Sequence, residues 1–423
     1  MKRLLLLTLS IALIFSALSF PVKATREKGD FLRGIWVSSV VNLDYPSAQG
    51  LSAEELKAEA DRIITDCINL GMNAIFFQVR PCADALYDSE LFPASVYLTG
   101  ESTFDPLPFD PLEYFVKEGH RRGLEIHAWL NPYRVTRMGE KEFEAISEKS
   151  PAKLHPEYLL KSGANYFFNP ALPEVRRLIL DGVKEIIENY DVDGIHFDDY
   201  FYPDGDYDDS AAYEEYGGGQ PLAEWRCENV NTLVRGAHEL IKTHDPELQF
   251  GISPRGIWAN SYQNARGSAT RGGGSLTEIY CDSLRFIEDG WVDYICPQIY
   301  WNIGYSIADY QILLPWWVNA VKGSGVRLYI GMADYRSAEA DEGDVWYGTA
   351  EIERQLELNK SYMIDGEVHF RYKSISGNPE LSSMYHRRYD VPGTAMLPSG
   401  ATEKVKMKLS AIVRNMIFGK WNA

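Results

Sequence analysis

Apolar positions along this chain follow two rhythms. Short runs dense in β-branched and aromatic residues, such as Asn73-Ala74-Ile75-Phe76-Phe77-Gln78-Val79, alternate with longer stretches where apolar residues return every three or four positions. The first rhythm predicts buried strands and the second amphipathic helices. Eight strands are predicted, over 33–41, 72–79, 124–130, 192–198, 248–253, 292–299, 327–333 and 366–371. Helices are predicted between them, among others over 52–70, 111–122, 173–189, 221–243 and 350–363. Parallel strands need crossover helices, and eight strand–helix units in series predict an α/β fold, a closed (β/α)8 TIM barrel. A doubly wound open sheet would want a glycine-rich phosphate loop after the first strand. The chain continues there as Asn42-Leu43-Asp44-Tyr45-Pro46, which is no such loop.

Three connections that follow strands are long, over 80–110, 199–220 and 254–285. They lie at the strand C-terminal face, where barrel enzymes build their sites. The last contains Gly272-Gly273-Gly274, which predicts mobility. Residues 25–398 read as one barrel domain and 399–423 as a C-terminal extension, with a short amphipathic helix predicted from Lys404 to Phe418. Residues 1–24 read as a signal peptide: Lys2 and Arg3, an apolar run from Leu4 to Phe20, then Val22-Lys23-Ala24 as a cleavage site. An uncleaved anchor is the competing reading, because the apolar run is near the minimum spanning length. With no Cys beside the cleavage site, a lipid anchor there is not expected. The expectation is an exported protein of the periplasm or cell exterior with no membrane span after cleavage.

Charge and composition narrow the partners. A formal net charge of −18 repels nucleic acid and anionic membranes, so neither is expected as a partner. The chain carries 26 Tyr and 10 Trp. Such rings pack on the C–H faces of sugars, although a large core accounts for most of them. Cys67, Cys82, Cys227, Cys281 and Cys296 match no metal motif. Cys296 lies in an apolar run and reads as core, while two of the others remain free to pair in an exported protein.

The chemistry concentrates at strand ends. Val192-Asp193-Gly194-Ile195-His196-Phe197 runs into Asp198-Asp199-Tyr200, an apolar strand ending abruptly in paired carboxylates. Alternation puts Gly194, His196 and Asp198 on the axis side. Two neighbouring carboxylates repel, so one holds a proton while the other stays ionised, which is what glycosidic cleavage requires. Asp198 and Asp199 are therefore the candidate catalytic pair. The following Asp204, Asp206, Asp208 and Asp209 suit a solvated turn or a calcium loop instead. The same strand-end logic selects Asp44, Gln78, Arg80, Asn131, Tyr133, Arg134, His196, Arg255, Gln298, Tyr300, Trp301 and Asp334 as substrate-binding candidates. A ring of such groups suits a polyhydroxylated ligand. G-x-S-x-G, H-E-x-x-H and the phosphate-binding P-loop are absent. His127 and His196 lack metal-ligand spacing with Asp198 or Asp44, so neither a catalytic metal nor a cofactor is expected.

At this point a family resemblance is evident. Arg33-Gly34-Ile35-Trp36-Val37, Asn73 to Pro81, His127-Ala128-Trp129-Leu130-Asn131-Pro132-Tyr133-Arg134, Asp193 to Tyr200 and Tyr294 to Trp301 resemble, in order, the motifs of the glycosyl hydrolase-like 10 family. The likeness runs from about residue 31 to residue 398. It implies a (β/α)8 barrel, export to the bacterial envelope, and a peptidoglycan-directed role on glycan strands stripped of stem peptides. Some members are lipoproteins; this chain lacks the Cys they use.

The expected activity is hydrolysis of a cell-wall glycan, a polymer of N-acetyl sugars, with a non-catalytic glycan-binding barrel as the alternative. A division-apparatus scaffold docking through the tail after Lys404 is a third reading. Two mechanisms stay open. Asp198 resembles the nucleophile of α-amylase-like barrels, but Pro254-Arg255 stands where those enzymes place an acid. Alternatively, Asp198 and Asp199 act together as in chitinase-like barrels, which the Gln298-x-Tyr300 pattern also resembles, but Tyr200 stands where those carry theirs.

Overall fold

A computed structural model describes residues 31–389. The signal peptide, the Lys404–Phe418 helix and the extension 399–423 lie outside the described residues. Eight parallel strands close a barrel: β1 (Leu32–Val37), β2 (Ala74–Arg80), β3 (Glu125–Leu130), β6 (Gly194–Phe197), β7 (Gln249–Ile252), β8 (Tyr294–Ile295), β9 (Arg327–Met332) and β10 (Gly366–His369), with β10 hydrogen-bonded back to β1. The remaining two, β4 (Leu159–Ser162) and β5 (Asn165–Phe168), form an antiparallel hairpin between β3 and β6. That hairpin was not expected from the sequence. It braces the chain after β3, because the amides of Val135 and Thr136 both donate to the carbonyl of Tyr166.

The five predicted helices form as Ala53–Asn69, Pro111–Arg121, Pro173–Asn189, Leu222–His244 and Ala350–Tyr362. Their starts are encoded locally. Ser52 and Glu55 make a reciprocal capping box, Asp110 caps Glu113, and Pro111 and Pro173 sit where no amide partner is needed. The sequence reading overextended several strands: 33–41 ends at Val37 and 192–198 narrows to Gly194–Phe197. The range 292–299 shrinks to Tyr294–Ile295, since Pro297 has no amide and Gln298 makes only isolated bridges to Arg255 and Gly331.

Outward side chains of the strands pack under the helices in one continuous apolar layer, including Ile35, Ile75, Phe77, Ile126, Ile195, Phe197 and Ile252. Inward ones form a second cluster built on Trp36, Phe76, Trp129, Tyr294 and Tyr329. Inward glycines make room for these rings: a Cβ on Gly251 would lie 2.2 Å from the Tyr294 ring. The barrel axis is thus filled, and the cleft lies at its C-terminal mouth. The Gly272–Gly274 run is packed in the structure. A Cβ on Gly273 would meet the Glu278 carboxylate at 2.6 Å, and one on Gly274 the Trp258 carbonyl at 2.9 Å. All five cysteines are free thiols, and Cys296 is buried as expected. Among the described residues no helix is long and apolar enough to cross a membrane.

Candidate active site

β6 stops at Phe197, so Asp198 and Asp199 lie just past the ladder and both face the mouth instead of alternating across the sheet. They sit in a cleft open to solvent at the barrel mouth. Rings of Trp36, Trp129, Tyr200, Tyr300, Tyr335 and Phe370 wall it, and Val40, Val41 and Leu43 overhang it from the loop after β1. Val41 and Asn42 hold left-handed backbone angles, φ 49° and 55°. For a β-branched residue that conformation is strained and needs support. Gln78 supplies it: its side-chain oxygen accepts from the Ser38 hydroxyl and the amides of Ser39 and Val40, each at 3.0 Å.

Asp198 is buried, and its two oxygens differ. Oδ2 accepts from the Trp129 indole at 3.1 Å and the Asn131 amide at 3.2 Å, whereas Oδ1 has no partner. Burial pushes its carboxyl up, the Arg134 guanidinium pulls it down, and the Asp199 charge raises it again, leaving it at about 7. Burial also raises Asp199. Against that, the Arg255 guanidinium lies 3.4 Å from Oδ2 and Gln298 donates to Oδ1 at 3.3 Å, both favouring the ionised form. Arg255 is itself held by both oxygens of Asp204, at 2.6 and 2.7 Å, and by Glu278 at 2.5 Å. One carboxyl near neutrality beside one tied to a cation is an acid and an anion in adjacent positions.

Beneath this pair His196 forms part of the floor. Its Nε2 lies 3.3 Å from the Trp36 indole nitrogen and 3.0 Å from the Ser253 hydroxyl, and its Nδ1 lies 3.1 Å from the Tyr294 hydroxyl. Burial, together with nearby His127, holds its pKa well below the usual value, so it is neutral. Asn131 also works from outside the cleft lining. It ties Asp198 to the Arg134 amide, which it accepts at 3.0 Å.

Of the residues selected from sequence, Asp198, Asp199, Gln78, Arg134, Gln298 and Tyr300 line the cleft, and Asn131, His196 and Arg255 contact or underlie that lining. Five do not reach it. Arg80 was placed on the same side as Gln78, but Gln78 pairs with Trp129 and Arg80 with Leu130, leaving Val79 as a bulge. One extra residue turns a side chain to the other face. The Arg80 guanidinium therefore lies in the outer layer, 3.7 Å above the Phe92 ring, with no hydrogen-bond partner on any nitrogen. Tyr133 is wholly buried with its ring edge-on to Phe201. Trp301 packs behind the wall, against Gly256, and its carbonyl accepts from Gln355. Asp44 is a structural tie, accepting from the Ser38 amide at 2.9 Å, Arg371 at 2.7 Å and the Lys373 amide at 2.8 Å. Asp334 is sealed between the Tyr385 hydroxyl and His369.

Sequence reasoning did not select Trp36, Arg137, Ser253, Tyr335, Arg336 or Phe370, all of which line the cleft. Tyr335, Arg336 and Phe370 were within reach of the strand-end rule, since they follow or end the last two strands. Asp204, assigned to a solvated turn, instead clamps Arg255.

Likeness to known proteins agrees with this architecture. The profile of the glycosyl hydrolase-like 10 family matches residues 31–348. Glycosyl hydrolase YngK of Bacillus subtilis (strain 168) is 39% identical over 404 residues, covering 92% of this chain and 79% of that protein. Glycosyl hydrolase DigH of Escherichia coli (strain K12) is 36% identical over 376 residues, covering 84% of this chain and 85% of DigH. Among solved structures, the glycoside hydrolase domain of PgaB (BpsB) from Bordetella bronchiseptica aligns with a TM-score of 0.54 at 14% identity, over 86% of this chain and 99% of that one. The catalytic domain of β-amylase from Paenibacillus polymyxa aligns with a TM-score of 0.55 at 12% identity, over 86% and 98%. At such identities the two structures show a common barrel fold.

Proposed function

The chain belongs to the glycosyl hydrolase-like 10 family and is a glycoside hydrolase, and we propose that its substrate is a bacterial cell-wall glycan, namely peptidoglycan strands that have lost their stem peptides. The observation that carries the reading is the unpartnered, buried Oδ1 of Asp198 at the bottom of the cleft. A pure binding protein gains little from a buried carboxyl with one oxygen left empty, because desolvating it costs stability.

In this reading protonated Asp198 donates its proton to the glycosidic oxygen. The C1–O bond breaks, the leaving sugar departs as an alcohol, and positive charge develops on the ring. Asp199, whose ionised form Arg255 and Gln298 favour, faces that charge; water adds its oxygen to C1 and its proton returns to the Asp198 carboxylate, restoring the acid. Aromatic walls suit the apolar faces of pyranose rings, and the loop after β1 narrows the mouth over them. Such a glycan lies outside the cytoplasm, so the reading requires export, and the charged start and apolar run of residues 1–24 support it.

Incubation with amidase-treated peptidoglycan, followed by mass spectrometry of the soluble fraction, tests the assignment. Release of sugar fragments free of peptide supports it. Intact strands, with activity retained on another glycan, would remove peptidoglycan from the proposal while leaving the hydrolase.

A further inference from the structure

The chain is strongly acidic, with 60 Asp and Glu against 42 Lys and Arg, yet its cleft is lined by three arginines, Arg134, Arg137 and Arg336. None of the three forms an ion pair with a carboxylate among the described residues. Arg134 is partly engaged: its Nε donates to the Pro81 carbonyl and its guanidinium lies 4.8 Å from the Tyr200 ring. Arg137 and Arg336 are half-buried, and the Arg336 side chain hydrogen-bonds Tyr335. The two acids that follow Arg137 in sequence are spent elsewhere: Glu140 pairs with Lys161 at 2.9 Å and accepts from the Tyr166 hydroxyl, and Glu142 accepts from the backbone amides of Arg137 and Met138 and from the Tyr97 hydroxyl. Arg336 rests between the Tyr335 and Trp346 rings, with its Nε buried and unpartnered.

Burying cations without counter-ions is costly. Burial, helped by the neighbouring Arg134 cation, pushes Arg137 below the usual arginine value. Guanidinium groups are matched to carboxylates, which they bind in a planar two-point fork. Resting on the cell-wall reading above, we propose that Arg137 and Arg336 bind a carboxylate carried by the sugar next to the scissile bond. In a peptidoglycan strand that carboxylate is the lactyl group of the muramic acid residue. It is free only when the stem peptide has been removed, because the peptide converts it to a neutral amide. The two arginines then act as specificity residues that select stripped strands, since an amide returns neither charge nor fork and carries a chain the walled cleft must accommodate.

The test compares four substrates: stripped strands, stripped strands whose carboxylates are capped as methylamides, uncharged β-linked N-acetylglucosamine oligomers, and a uronic-acid polymer. Wild type, Arg137→Met and Arg336→Met are assayed for kcat and KM, with pelleting of strands measured in parallel and melting curves confirming the fold. Capping is expected to raise the wild-type KM about tenfold or more, about 1.4 kcal/mol of binding. Each substitution is expected to raise KM on free strands by a similar factor, and the gap between wild type and variants should shrink on capped strands. Preferential cleavage of the uronic-acid polymer would keep the arginine assignment and move the carboxylate to the ring itself. Equal KM for free and capped strands, or variants indistinguishable from wild type on free strands, would overturn it. Should no strand be cleaved, the ratio of free to capped binding still decides the arginines, while the missing cleavage counts only against the peptidoglycan reading.

Discussion

The indole N–H of Trp129 donates to Oδ2 of Asp198 at 3.1 Å, and the other oxygen of that carboxyl is buried without a partner. Trp129 belongs to β3 and Asp198 follows β6, its neighbour in the barrel. The bond locks the carboxyl plane, so the empty oxygen points in one direction. Removing the donor without emptying the space should loosen that aim. Trp129→Phe is expected to lower kcat roughly tenfold, the worth of one such hydrogen bond, with a smaller change in KM. Steady-state kinetics on a soluble glycan fragment checks this.

Protonation of Asp198 predicts how activity and stability vary with pH. Its carboxyl moves from the ordinary 3.8 to about 7 in the folded protein, mainly through burial. If it is the proton donor, kcat/KM falls as pH rises through about 7. The stability effect has the same direction. Between about pH 4 and 7 the folded protein keeps a proton that the unfolded chain releases, so stability declines as pH rises, by roughly 4 kcal/mol over the full span. Asp198→Asn removes that decline. The variant is expected to melt higher than wild type above pH 7, with the difference closing toward pH 4.

The Arg255 guanidinium, 3.4 Å from Asp199, favours the ionised carboxylate against the burial that raises it. Arg255→Met should release the Asp199 carboxyl upward, so the limb of the pH profile that needs an ionised Asp199 shifts to higher pH. A loss of at least about tenfold in kcat is expected, and Arg255→Lys should recover part of it because the charge returns without the fork. An unshifted limb in a folded Met variant would remove Asp199 from the role of anion.

Asp44 belongs to the fold and not to the cleft. It is buried against Arg371 at 2.7 Å. Asp44→Asn leaves that guanidinium uncompensated, at a cost of about 3 kcal/mol. Denaturant unfolding should record the loss, while turnover per folded molecule stays near wild type.

All eight barrel strands and the five predicted helices were legible in the chain, because buried parallel strands read as apolar runs and the helices carry their own caps. The acidic pair was legible for a related reason: charge at the end of an apolar strand has few structural uses. Position Arg80 was misread because a bulge at Val79 leaves no mark in the alternation of apolar residues. The helix Tyr310–Ala320 was hidden by Pro315 within it, and the hairpin by strands only four residues long. Asp44 and Asp334 obeyed the strand-end rule and were still structural. Their partners, Arg371 and Tyr385, come from the far end of the chain, and no local pattern announces such a pairing. Asp204 was hidden in the same way, its partner Arg255 lying 51 positions away.

The central claim is that Asp198 performs the chemistry, and Asp198→Asn tests it most directly when turnover and melting are measured on one preparation. The substitution keeps shape and hydrogen-bonding reach but removes the proton donor. The expected result is a folded protein, melting at or above the wild-type temperature at pH 7.5, that still binds glycan and has lost at least about a thousandfold in kcat, about 4 kcal/mol of transition-state stabilisation. The loss should narrow on substrates with good leaving groups, which need little protonation. A folded variant that turns over glycan at the wild-type rate, or one whose only change is a lower melting temperature, would contradict the account.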